Sequence, residues 1–104
     1  MNFAIDLEIV EDIIGDLEKL TEKRVRERSL VREIRRLLKA NLFDSALKQI
    51  VLLKAECVKL QNVLPGENRV AWMKCRELIL ALERLEKNVK VIFDALLRQA
   101  AKAR

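Results

Sequence analysis

The chain has 104 residues, no histidine, two cysteines and a net charge of +5, a length that suits one domain burying roughly two thirds of its unfolded surface without metals or disulfides. Two glycines, one proline, no tyrosine and a predominance of Val, Leu, Ile, Ala, Glu, Lys and Arg make a helix-forming composition. The longest apolar run, Leu78 to Leu82, is far shorter than a membrane span of ~20 residues, and Asp6, Glu8, Glu11 and Asp12 interrupt any secretory core.

The expected fold is therefore all-α: an antiparallel bundle of three to four helices with long first and last helices, forming a single domain over residues 1–104 in the cytoplasm, away from membranes. Phe3, Leu7, Val10, Ile14 and Leu17 recur in steps of four and three, and Ile9, Ile13 and Leu20 widen the stripe. From Thr21 to Ser29 only Val25 is apolar, after which Leu30, Val31, Ile34, Leu37 and Leu38 resume the pattern on a rotated face. Residues 21–29 are thus either a projecting stretch of one long helix or a joint between two; the lack of Gly and Pro favours the first, and Thr21 or Ser29 as a cap the second.

Asn41 to Ser45 reads as a turn, with Asn41 left-handed at the end of one helix and Asp44 or a near neighbour capping the next. That helix runs from about Asp44 to Asn62. Its apolar residues cover half its circumference, which predicts neighbours on two sides. Pro65-Gly66 breaks the chain, and a last helix follows from about Glu67 to Ala103, roughly 50 Å long at 1.5 Å per residue. Ala71, Cys75, Leu78, Leu82, Leu85, Val89, Ile92 and Leu96 give it heptad spacing, and its length beyond the preceding helix leaves its distal half to pair with the N-terminal helix or with another subunit. Self-association through these heptads is expected. Met73, Leu80 and Val91 lie off the stripe and suggest a second covered face.

The segment Leu37-Leu38-Lys39-Ala40-Asn41-Leu42-Phe43-Asp44-Ser45-Ala46-Leu47 resembles the turn of a tetratricopeptide-type hairpin, in which an aromatic and then a small residue let two helices pack closely. More loosely, it is similar to the basic helix and hairpin of translin-like nucleic-acid-binding proteins. The likeness covers under a third of the chain, and no family function is carried over from it.

Without histidine the chain lacks the commonest general base and metal ligand, and two thiols with seventeen residues between them make no standard zinc site. Glu8, Glu11, Asp12 and Asp16 cluster as a divalent cation would require, but they also suit the solvated face of a helix start. The expectation is a protein that is not an enzyme and uses no cofactor. Cys57 and Cys75 lie eight residues before and ten after Pro65, on helices expected to be antiparallel neighbours. They are either buried thiols or a disulfide locking the hairpin, as a hyperthermophile would permit.

Charge gives the strongest pointer to function. Residues 1–20 hold six acids and one base, and residues 21–40 hold eight bases and three acids. Arg24, Arg28, Arg32, Arg35 and Lys39 recur in steps of four, four, three and four, a ridge roughly 22 Å long if helical. No acid stands three or four residues from Arg28, Arg32, Arg35 or Lys39, whereas the last helix offers Glu83 with Lys87, Glu86 with Lys90 and Asp94 with Arg98. The ridge then reads as unpaired and the last helix as internally satisfied. Such a ridge suits nucleic-acid phosphates, DNA or RNA, without sequence preference. Equally, it suits protein acids, especially Asp6, Asp12 or Asp16 of a second, antiparallel subunit. Phe3, Phe43, Trp72 and Phe93 all fall on or beside apolar stripes and are read as core, which disfavours recognition by base stacking. The expected role is a small basic subunit that binds nucleic-acid backbone, as a homo-oligomer or part of a larger complex. The alternative is an adaptor that docks its heptad helix on a partner.

Overall fold

The computed structural model describes residues 3–21, 27–64, 66 and 68–102, and these form four helices: α1 (Ala4–Thr21), α2 (Glu27–Lys39), α3 (Phe43–Val63) and α4 (Arg69–Lys102). Consecutive helices pack on one another, and α4 closes the ring by packing on α1. The result is a four-helix bundle, 57 × 19 × 18 Å, with long first and last helices. Among the described residues no helix is long and apolar enough to cross a membrane.

Ion pairs fix the direction of α2 relative to α1. Glu11 pairs with Arg35 and Glu18 with Arg28, contacts that only antiparallel helices can make, because on one continuous helix these residues would be tens of ångströms and ~15 Å apart respectively. The choice between joint and continuous helix falls on residues 21–29, most of which, including Val25, lie outside the described residues. On either side of them the chain runs in opposite directions.

The turn from α2 to α3 forms as its sequence requires. Asn41 takes φ 60°, the left-handed conformation that a short amide side chain tolerates. Its N–H donates to the Leu38 carbonyl, and that of Leu42 to the Leu37 carbonyl, the paired bonds of a Schellman ending. The expected Asp44 cap is not formed. Leu42 occupies the capping position without a side-chain bond, because the Schellman turn passes directly into α3. Asp44 lies in the first turn and pairs with Lys48 instead. Leu64, before Pro65, is extended as that proline demands, and Asn68 caps α4 through Oδ1, which accepts from the Ala71 N–H.

One core runs the length of the bundle. It contains Phe3, Leu7, Val10, Ile14 and Leu17, then Val31, Ile34, Leu37 and Leu38, then Phe43, Ala46, Ile50, Leu53 and Cys57, and from α4 Ala71, Cys75, Leu78, Leu82, Leu85 and Val89. Phe3, Phe43 and Phe93 close one end with ring centroids 6.4 and 6.5 Å apart. α1 packs along α4 from about Lys74 to Asn88, the same stretch that α3 covers, so the distal end of α4 is not paired with α1 as one of the two expectations had it. Past Phe93 the helix continues with every described residue exposed, an overhang of about 14 Å. The heptad residues Leu78, Leu82, Leu85 and Val89 are consumed by the chain's own core, and Ile92 packs against it, so they offer no surface for self-association. The chain itself does not cover Met73, Leu80 and Val91: each is more than half exposed.

Candidate nucleic-acid interface

The structure reverses the sequence reading of which charges are satisfied. α2 buries Val31, Ile34, Leu37 and Leu38 and turns Arg32, Arg36 and Lys39 outward, with Arg28 and Arg35 along its edge toward α1. On the facing edge of α1 stand Glu11 and Glu18. Arg28 donates from Nε and one terminal nitrogen to the Glu18 carboxylate at 2.9 and 2.5 Å, and Arg35 donates to Glu11 at 2.6 Å. Two members of the expected ridge are therefore held by the chain itself. Their partners are not Asp12 or Asp16 of another subunit; Asp16 pairs with Lys74 of α4. Among the described residues Arg32 and Lys39 make no ion pair, and Arg24 lies outside the described residues. Beside them Arg36 pairs with Glu33, which holds the Glu33 carboxyl below and the Arg36 guanidinium above their ordinary pKa ranges, mainly through the hydrogen bond between them.

The missed partners had a signal in the sequence. Glu11 with Arg35 and Glu18 with Arg28 are placed symmetrically about residue 23, the relation that an antiparallel hairpin produces. Spacing along a single helix cannot show it.

On α4 the correction has the opposite sense. None of the three anticipated pairs, Glu83 with Lys87, Glu86 with Lys90 or Asp94 with Arg98, forms; Glu86 reaches across to Lys54 of α3 at 3.2 Å. Only Lys74 of the described α4 cations is paired, with Glu77 and Asp16 raising its pKa in that order of effect. Arg69, Arg76, Arg84, Lys87, Lys90, Arg98 and Lys102 are all exposed without an ion pair among the described residues, against the unpaired acids Glu83 and Asp94. Exposed pairs along one helix are worth under ~1 kcal/mol, too little to hold long side chains together when water and neighbouring helices compete.

Trp72 corrects the reading of the aromatics as core. It is 43% exposed and, with Gln61, Asn62, Leu64, Gly66, Arg69 and Met73, lines an open pocket of about 600 Å³ at the α3–α4 turn. Its neighbour Ala71 takes the inward position, so Trp72 is turned toward the end of α3. Cys57 and Cys75 lie on adjacent helices as expected, and both are fully buried thiols rather than a disulfide.

The acids of α1 do not gather into a cation site. Glu11 faces Arg35, Asp16 faces Lys74, and Glu8 and Asp12 point to solvent. Comparison of the chain with family models, curated proteins and solved structures finds no match.

Proposed function

We propose that the chain is a non-catalytic basic helical subunit that binds the phosphate backbone of nucleic acid without sequence preference, in the cytoplasm, as an oligomer or within a larger complex. The observation that carries this reading is the row of cations along the outward face of α4 that make no ion pair among the described residues. Residues 41–104 hold twelve bases and seven acids, so the entire excess charge belongs to this part of the chain. Guanidinium and ammonium groups that are not already engaged can exchange their counterions for phosphate oxygens, a contact that depends on charge and not on base identity. Trp72 beside Arg69 adds a face on which one base can stack. The buried thiols suit a reducing compartment.

A salt titration with unrelated DNA and RNA sequences tests the reading. Affinity should fall linearly on a log–log scale, and Lys90→Gln with Arg98→Gln should weaken binding and reduce the slope by roughly two phosphate contacts. Undetectable binding at low salt, or indifference to the double change, contradicts it.

The alternative, a protein-interaction adaptor, is supported at the distal end of the heptad series, beyond the part buried in the chain's own core. Leu96 and Leu97, 44% and 53% exposed, continue α4 beyond the bundle. A partner helix seated there would bury them.

A further inference from the structure

Beside the α1–α4 seam large apolar side chains stand exposed: Ile5, Ile9 and Leu20 on α1, and Leu80 and Val91 on α4. Between the helices runs a shallow groove lined by Ile9, Ile13, Glu77, Leu80, Ala81 and Arg84. Scattered apolar residues need no explanation, but a stripe shared by two adjacent helices marks a contact surface.

We propose that this face binds a second copy of the chain, in a two-fold dimer whose axis runs along the bundle. The charges on the face select both the occupant and the axis. Glu8 and Asp12 on α1 are exposed acids without an ion pair among the described residues, and Arg84 and Lys87 on α4 are exposed cations in the same condition. One helix of the face thus carries unpaired acids and the other unpaired bases. A single polyanion or an anionic membrane would meet repulsion from Glu8 and Asp12, whereas a copy of the same face offers each charge its complement.

The register follows from the intrachain contacts. α1 and α4 are antiparallel, since Asp6 accepts from the Asn88 amide and Asp16 meets Lys74. A two-fold along the bundle leaves heights unchanged and lays α1 across α4 of the partner in that same antiparallel register. This sets Glu8 between Arg84 and Lys87, Ile5 within one helical turn of Val91, and Asp12 level with Leu80. The other two-fold in the plane of the face, perpendicular to the bundle, would lay α1 on α1 and set acids against acids. An isologous interface makes every contact twice, so each favourable pair counts double.

This inference names the surface for the oligomeric part of the proposed function and does not rest on the nucleic-acid part; Arg69, Lys90, Arg98 and Lys102 remain for phosphate. The test is mass by light scattering over a concentration series without nucleic acid, with circular dichroism and thermal unfolding of each variant. Wild type should be a dimer. Leu80→Asp should be a monomer of unchanged helicity, because Leu80 is exposed within its own chain. Glu8→Arg and Arg84→Glu should each weaken the dimer tenfold or more, and the variant carrying both changes should recover it. A wild type that is monomeric at every concentration overturns the proposal and the oligomeric reading together. An assembly that survives Leu80→Asp, or single charge changes that the combined variant does not rescue, overturns this face while leaving oligomerisation intact.

Discussion

The two helical hairpins of this bundle handle charge in opposite ways. In α1 and α2 the acids of one helix face the bases of the other, and residues 1–40 sum to no net charge although their two halves are strongly polar. In α3 and α4 the contact is made by Leu53, Cys57, Cys75, Leu78 and Leu82, while the bases point outward. A steep reversal of charge along a sequence can therefore be a device for joining two helices. The milder excess of the second hairpin is the one left exposed.

If this division holds, the largest effect belongs to the apolar seam. Leu82 is fully buried, and Leu82→Ala should destabilise the fold by about 2–5 kcal/mol, read from urea unfolding with an unchanged denaturant slope. A loss under ~1 kcal/mol would mean that the seam does not dominate.

A smaller, stabilising effect is expected in the first hairpin. Gly15 sits within α1, and a Cβ there would meet only an Arg28 terminal nitrogen at 3.9 Å, an ordinary contact. Gly15→Ala should add roughly 0.5–1 kcal/mol by restricting the unfolded chain and favouring helix. A loss of stability would show that the glycine is needed for the approach of Arg28.

Smaller still is the cost of neutralising the acids opposite the ridge. Glu11→Gln and Glu18→Gln should each cost under ~1 kcal/mol, with the difference from wild type shrinking in high salt. The same pair of changes releases Arg35 and Arg28, so polyanion affinity should rise. A protein that unfolds, or one that binds no better, breaks the assignment of these acids as the ridge's partners.

The faintest signal is expected from Lys74, whose pKa is raised by Glu77 and then by Asp16. A group protonated more readily when folded contributes below its unfolded pKa, and that contribution disappears as pH rises through the folded value. Stability should therefore decline on the alkaline side of the ordinary lysine range, and Lys74→Gln should flatten that decline. An identical alkaline limb in both proteins would remove Lys74 from the account.

Much of this architecture is legible in the sequence because it depends on local rules. The stripe from Phe3 to Leu17 and the heptads from Ala71 to Val89 are buried as their spacing implies, and Asn41 and Pro65 mark turns for reasons of backbone conformation. What is not legible depends on which helix stands beside which. Ile9 and Leu20, expected to widen the buried stripe, are 39% and 40% exposed because α1 has only two neighbours in the ring. Helical spacing marked Arg28 and Arg35 as unpaired, since it counts acids on the same helix alone, and marked Glu86 as a partner of Lys90 when Lys54 lies closer across the α3–α4 seam. The cap at Asp44 was displaced by hydrogen bonds of the preceding turn, a competition that residue preference alone does not settle.

The central claim is that Arg28 and Arg35 of the ridge are engaged within the chain, whereas the described cations of α4 other than Lys74 are not. The most direct measurement compares the salt-dependent affinity for one duplex of two variants, Arg28→Gln with Arg35→Gln and Lys90→Gln with Arg98→Gln, which lower the net charge equally. The account predicts a clear loss of affinity and of salt slope for the α4 pair and little change for the α2 pair. Equal losses would reduce the effect to net charge, and a greater loss for the α2 pair would contradict the claim.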